Sequence, residues 1–162
     1  MIVLQQSETE ISERALSLFA GKAQRAIGLE GEVNVRITSS RELQELNRRF
    51  RRKDKPTDVL SFPSGMPKVA GDIAISREIA AAKAAEIGHP METELKVLIL
   101  HGLLHLAGYD HEADNGEMLL REIALRRKLS LPVGLIERAQ DGHTARKSAK
   151  KRSAPRSRGG RR

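Results

Sequence analysis

Between Thr9 and Ile27 the apolar positions Ile11, Ala15, Leu18, Phe19, Ala23, Ala26 and Ile27 recur at helical spacing. They predict an amphipathic helix, with Gly28 and Gly31 marking its end. Before it, Met1 to Gln5 reads as a first strand. After it, Val33, Val35 and Ile37 alternate with Asn34, Arg36 and Thr38, the pattern of a half-buried strand. Ser39 with Glu42 reads as a capping box. The short helix it opens is expected to bury Leu43, Leu46 and Phe50 and to stop before Pro56.

Val59 to Phe62 reads as a strand, Pro63 to Pro67 as a turn, and Gly71 to Ile75 as another strand. Ser76 can cap a helix from Arg77 to Ile87 that Gly88 ends. Pro90 opens the next helix, with Glu92 and Glu94 in its first turns, and Gly108 follows its end near Ala107. Asp114 can cap a last helix that runs through Lys128. The predicted order is β-α-β-α-β-β-α-α-α, with no internal repeat. Two successive strands joined by a loop imply one antiparallel pair, and consecutive βα units imply parallel pairing elsewhere. The expected fold is a single α+β domain (α/β-like), a mixed four-stranded sheet packed with about five helices.

Charge divides the chain of 162 residues. The formal net charge is +8, and all of it falls on residues 141–162, where nine Lys and Arg meet one acid, Asp141. Alanine is the only apolar residue there, so the segment cannot bury enough surface to order itself. Residues 1–138 are therefore expected to fold, and residues 139–162 to form a disordered basic tail. Such a tail either attracts nucleic acid through counterion release or is merely a solvated end. Inside the neutral body, Arg48, Arg49, Arg51, Arg52, Lys53 and Lys55 form a second basic cluster.

Composition narrows the possible functions. The absence of cysteine excludes a disulfide scaffold, a thiolate zinc site and a cysteine nucleophile. No apolar run approaches a membrane span, and MIVLQQSETE lacks the marks of a secretion signal, so a soluble cytoplasmic protein is expected. With three Phe, one Tyr and no Trp, recognition of RNA by base stacking is disfavoured. Phosphate contacts should dominate.

The candidate chemistry lies in HGLLHLAGYDH, from His101 to His111. His101 and His105 are i and i+4 and share a helix face. Gly108 lets the chain turn so that His111 can join them. Leu98, Ile99, Leu100, Leu103, Leu104 and Leu106 make that helix apolar almost all round, so it should be buried. Buried imidazoles without partners cost about 1–3 kcal/mol each, and a shared metal satisfies them together. Three ligands suit a catalytic ion with an open position. The spacing matches the metzincin protease pattern H-E-x-x-H-x-x-G-x-x-H, except that Gly102 stands where the general-base Glu belongs. Asp72 and Asp110 are candidate supports for the imidazoles. His89 reads as structural, and His143 as without a role.

The histidine run resembles the signature of the YbeY family, bacterial rRNA maturation endoribonucleases. FRRKDKPTDVLSF, from Phe50 to Phe62, and GDIAIS, from Gly71 to Ser76, resemble two further family segments. Met118 and Glu122 sit where the family's last helix places such residues. The resemblance covers nearly all of residues 1–130. Phe50 departs from a common Tyr, and Arg52 from a frequent small residue.

The resemblance implies a single-strand-specific, zinc-dependent endoribonuclease acting in rRNA maturation and ribosome quality control. His101, His105 and His111 carry over as ligands of one zinc ion, other divalent metals being possible, and Arg51 as the functional arginine. His101 and Arg51 are thus the expected catalytic residues. Arg51, Arg52, Lys53 and Lys55 are the expected RNA contacts. The expected chemistry is attack on the phosphodiester by metal-activated water or by a ribose 2′-hydroxyl, with Arg51 stabilising the developing charge. Expected partners are rRNA and ribosomal particles, with no membrane. Two other readings compete: a non-catalytic ribosome-assembly factor with a structural metal, and a metallohydrolase of another substrate, including a peptide, although Gly102 in place of the base Glu argues against peptide cleavage.

Overall fold

A computed structural model describes residues 1–4 and 11–133 of the chain. The basic tail lies outside the described residues. The elements follow the predicted order: β1 (Ile2–Leu4), α1 (Glu13–Ile27), β2 (Glu32–Thr38), α2 (Ser40–Arg51), β3 (Val59–Pro63), β4 (Val69–Ser76), α3 (Arg77–Ile87), α4 (Met91–Leu106) and α5 (Glu117–Lys128). The fold is α+β, with five helices and a four-stranded mixed sheet.

Sheet order is β1-β2-β4-β3. β2 pairs in parallel with both β1 and β4, and β3 runs antiparallel to β4. The helix starts are local chemistry. The hydroxyls of Ser12, Ser39 and Ser76 accept from the backbone N–H of Ala15, Glu42 and Ile79 and so cap α1, α2 and α3. The box expected at Ser39 is only half formed, because the Glu42 carboxylate turns to the Thr38 hydroxyl and to Arg36 instead.

Side-chain alternation on β4 divides the apolar residues between two faces. Ile73 and Ile75 join a large cluster with Leu16 and Phe19 of α1 and Leu95, Ile99, Leu103 and Leu104 of α4. Ala74 joins a small cluster with Leu60 of β3 and Leu43 of α2. Thus α1 and α4 cover one face and α2 the other. α4 is the buried centre: Leu95, Ile99, Leu100, Leu103 and Leu104 have no solvent exposure. Each such side chain contributes roughly 1.5–3 kcal/mol of burial.

Phe50 corrects the sequence reading. It is 62% exposed, edge-on to Phe62 with the Arg49 guanidinium near its face. Helical spacing placed it on the Leu43 and Leu46 face, but at the end of α2 its ring meets Phe62 of β3 edge-on and is otherwise left to solvent.

Gly102 marks the closest approach of α4 to the sheet. A Cβ there would lie 2.9 Å from two Ile73 side-chain carbons. The Gly102 carbonyl accepts from the Ser61 hydroxyl at 3.1 Å, tying α4 to β3. The residue that fails the metzincin pattern is therefore a packing contact facing the sheet, with no room for a carboxylate side chain.

Candidate metal centre

His101 and His105 leave α4 one turn apart, at the end where its buried stripe gives way to a cleft. Gly108 then takes φ +98°, a conformation that favours glycine, and turns the chain so that His111 comes back over both. The ring centroids of the three imidazoles are 4.8, 5.1 and 5.4 Å apart. One nitrogen from each ring lies within 4.8 Å of the others.

A carboxylate from α5 completes the cluster. His101 Nδ1 lies 3.1 Å from Glu122 Oε2, and the other Glu122 oxygen accepts from Arg126 Nη2 at 2.7 Å. Holding the proton on Nδ1 leaves the His101 Nε2 lone pair facing the cluster. Burial alone would raise the Glu122 carboxyl, but the hydrogen bond from His101, the charge His101 carries when protonated and the charge of Arg126 outweigh it and hold it below the usual range. Burial, with the neighbouring His101 and His111, lowers the pKa of His105 and favours its neutral, ligating form.

These residues fit a metal ion. Nitrogens held ~2.1 Å from one ion in a tetrahedron stand roughly 3.4 Å apart. His101 Nε2 and His105 Nε2 are already 3.2 Å apart. Three imidazole nitrogens, one ring backed by a carboxylate, suit a borderline-soft divalent ion.

The cleft beside the histidines has a volume of about 390 Å³ and is also lined by Asn47, Arg51, Lys53, Lys55 and the β3 residues Val59 to Ser61. A second hollow of about 380 Å³ adjoins it, sharing Arg51, Ser61, His105 and His111 and adding Pro63, Tyr109 and Asp110. The walls come from α2 on one face of the sheet and α4 on the other, so the cleft crosses the outer edge of β3.

A family model described as Endoribonuclease YbeY matches residues 2–129. The chain belongs to the YbeY family. A relative from Koribacter versatilis, named Endoribonuclease YbeY, is 55% identical over 94% of this chain and 99% of its own. One of the same name from Solibacter usitatus is 46% identical over 86% of this chain and 94% of its own. The solution structure of TM1509 from Thermotoga maritima superposes with a TM-score of 0.56 at 30% identity, covering 98% of this chain and all of that one.

In this YbeY chain the cleft brings together His101, His105, His111, Arg51, Lys53 and Lys55. Arg52 is set apart: it takes the left-handed cap of α2 (φ +55°) and lines neither hollow. Lys53 reaches Glu112 at 3.9 Å across the mouth. Asp72 and Asp110 do local work: Asp72 accepts from Asn34, and the Asp110 carboxylate accepts from the Glu112 N–H within the turn. The partner of His101 is Glu122 instead. Its signal was an acid among Met118, Ile123 and Leu125 on the buried face of α5, where burial of a carboxylate demands a partner. Asn47 was also missed. It is buried, its side chain donates to the Lys55 carbonyl at 2.9 Å, and its carbonyl accepts from Arg52 and Lys53, which sets the course of the cationic loop. His89 pairs with the buried Glu94 at 2.7 Å where α3 meets α4, a structural place. No helix among the described residues is long and apolar enough to cross a membrane.

Proposed function

We propose that this protein is a metal-dependent endoribonuclease that cleaves single-stranded rRNA during ribosome maturation and quality control, with zinc as its metal. The supporting observation is the sharing of one cleft by three convergent imidazoles and the cations Arg51, Lys53 and Lys55. Relatives that this chain matches along most of its length bear the name of an endoribonuclease.

A zinc ion held by His101, His105 and His111 would supply Lewis acidity and a water of lowered pKa. The chain's own groups do the rest. Glu122 keeps the proton of His101 on Nδ1 and fixes the ring. The Arg51 guanidinium, at the end of α2, holds a phosphate bidentately and stabilises the charge that grows on it. Lys53 and Lys55 hold the flanking backbone as point charges. Substrate phosphate displaces Glu112 from Lys53. Residues 139–162, carrying nine basic residues, add sequence-independent affinity for the same polyanion.

The test is cleavage of single-stranded rRNA by metal-stripped protein, before and after zinc is restored, beside a His101→Ala preparation. Activity that returns with zinc and is absent in the variant is expected. Cleavage indifferent to both would end the metal-centred reading. No cleavage in either state, with the fold intact, would favour an assembly factor.

A further inference from the structure

The outer edge of β3 crosses the cleft. β3 is the last strand of the sheet, so one side of it has no strand neighbour among the described residues. The Ser76 N–H donates to the Asp58 carbonyl at 2.8 Å and the Ser64 N–H to the Ala70 carbonyl at 3.1 Å. The even-numbered residues of this antiparallel pair therefore spend their backbone groups on β4. Val59, Ser61 and Pro63 turn theirs outward. The Val59 carbonyl and the Ser61 N–H are neighbours on that edge, an acceptor beside a donor. Thr57 Oγ1 approaches the Val59 carbonyl at 3.4 Å, and a carbonyl has a second lone pair. Ser61 is shared by both hollows, with His105 and Arg51.

We propose that the Val59 carbonyl and the Ser61 N–H read the Watson–Crick edge of one unpaired nucleotide next to the scissile phosphate. This rests on the endoribonuclease reading and supplies a physical basis for single-strand selectivity. Every base presents a donor beside an acceptor on that edge: the amino group and ring nitrogen of adenine or cytosine, the ring N–H and carbonyl of guanine or uracil. One backbone pair therefore accepts any base. A duplex offers none, since its Watson–Crick edges are occupied. Scarce aromatics leave base-edge hydrogen bonding as the alternative to stacking.

The occupant is RNA by charge, because Arg51, Lys53 and Lys55 line the same cleft. An added peptide strand would need a further donor at position 63, and Pro63 has no N–H.

The test uses the full-length, metal-loaded protein and a short single-stranded RNA that it cleaves. The RNA is resynthesised with a methyl group on the Watson–Crick nitrogen of one base at a time around the cut. Methyl groups at pyrimidine C5 serve as controls. At one position, Watson–Crick methylation should lower kcat/KM about tenfold or more, the loss of one two-point base contact, while C5 methylation should not. Ser61→Pro removes the outward N–H without touching the β4 ladder, so it should abolish that discrimination. Ser61→Ala, which removes only the hydroxyl, should keep it. Bound metal and Tm report the fold, and if Ser61→Pro does not fold, the methylation series decides alone. Equal cleavage of every methylated RNA overturns the proposal while leaving the nuclease intact. Competitive inhibition by an extended peptide, with no methylation effect, would assign the edge to strand addition. Failure to cleave the unmodified RNA overturns both readings.

Discussion

The histidine cluster and the cationic rim line one cleft but are built in opposite ways. The histidines stand on α4, whose neighbours Leu100, Leu103 and Leu104 are fully buried, and His101 is backed by Glu122, itself held by Arg126. Arg51, Lys53 and Lys55 are exposed, on a helix end and the loop after it. Atoms that must hold an ion within tenths of an ångström need a packed support. Groups that hold phosphate by charge tolerate mobility, since Coulomb attraction falls gently with distance. Losses on the histidine side should therefore be steep and those at Lys53 and Lys55 graded, with Arg51, which holds the reacting phosphate bidentately, between the two.

The steepest expected effect is at His105. His105→Ala should leave two ligands, lose tightly bound zinc and drop cleavage below detection, while circular dichroism reports an unchanged fold. Bound metal at full stoichiometry would break the assignment. Next is Arg51→Ala, expected to lower kcat by roughly 10²–10³ with metal retained, the scale of removing one transition-state donor. A change confined to KM would move Arg51 to the graded side with the lysines.

Glu122→Gln keeps the shape but weakens the hold on His101 Nδ1. Zinc affinity should fall by about 10–100-fold, measured by competition with a chelating dye. The same variant tests a pH dependence. The Glu122 carboxyl is held below the ordinary glutamate value of about 4.3, so its contribution is present above that value. It is lost as pH falls through the lowered value. Metal-free wild-type protein should accordingly lose stability on acidification through that window more steeply than Glu122→Gln does.

Gly102→Ala pushes a methyl against Ile73 and should cost about 1–3 kcal/mol in denaturant unfolding. Lys53→Ala or Lys55→Ala should be mildest. Each should raise KM a few-fold, leave kcat alone and lower the salt slope of RNA binding by about one. A kcat loss in either would show that the rim is not graded.

The same contrast sets what could be read from the chain. Where local rules decide, the reading held: Ser76 and Gly88 bound α3 at Arg77–Ile87, and the i, i+4 pair with Gly108 gathers the histidines. Where the answer depends on distant partners, it did not. Glu122 lies far along the chain from His101 and meets it only because α5 packs on α4. Phe50 obeys the helical period of Leu43, yet periodicity cannot tell how completely the neighbours at a helix end cover a ring. Asp72 and Asp110 had the right chemistry and the wrong directions, which only the strand pairing and the turn determine. The open edge of β3 belongs to the same class, since sheet order is a property of the whole fold.

Gly102 has an evolutionary consequence. In a chain that already carries the three imidazoles, one substitution to glutamate would complete the metzincin pattern. The Ile73 side chain, 2.9 Å from where a Cβ would begin, blocks that step. A carboxyethyl group there would strike the sheet before it reached the histidines. Room for the base would require the Ile73 side chain to give way. A glutamate at this position would thus cost stability without bringing its carboxylate to the metal cluster, and the helix–sheet contact keeps this chain from that chemistry.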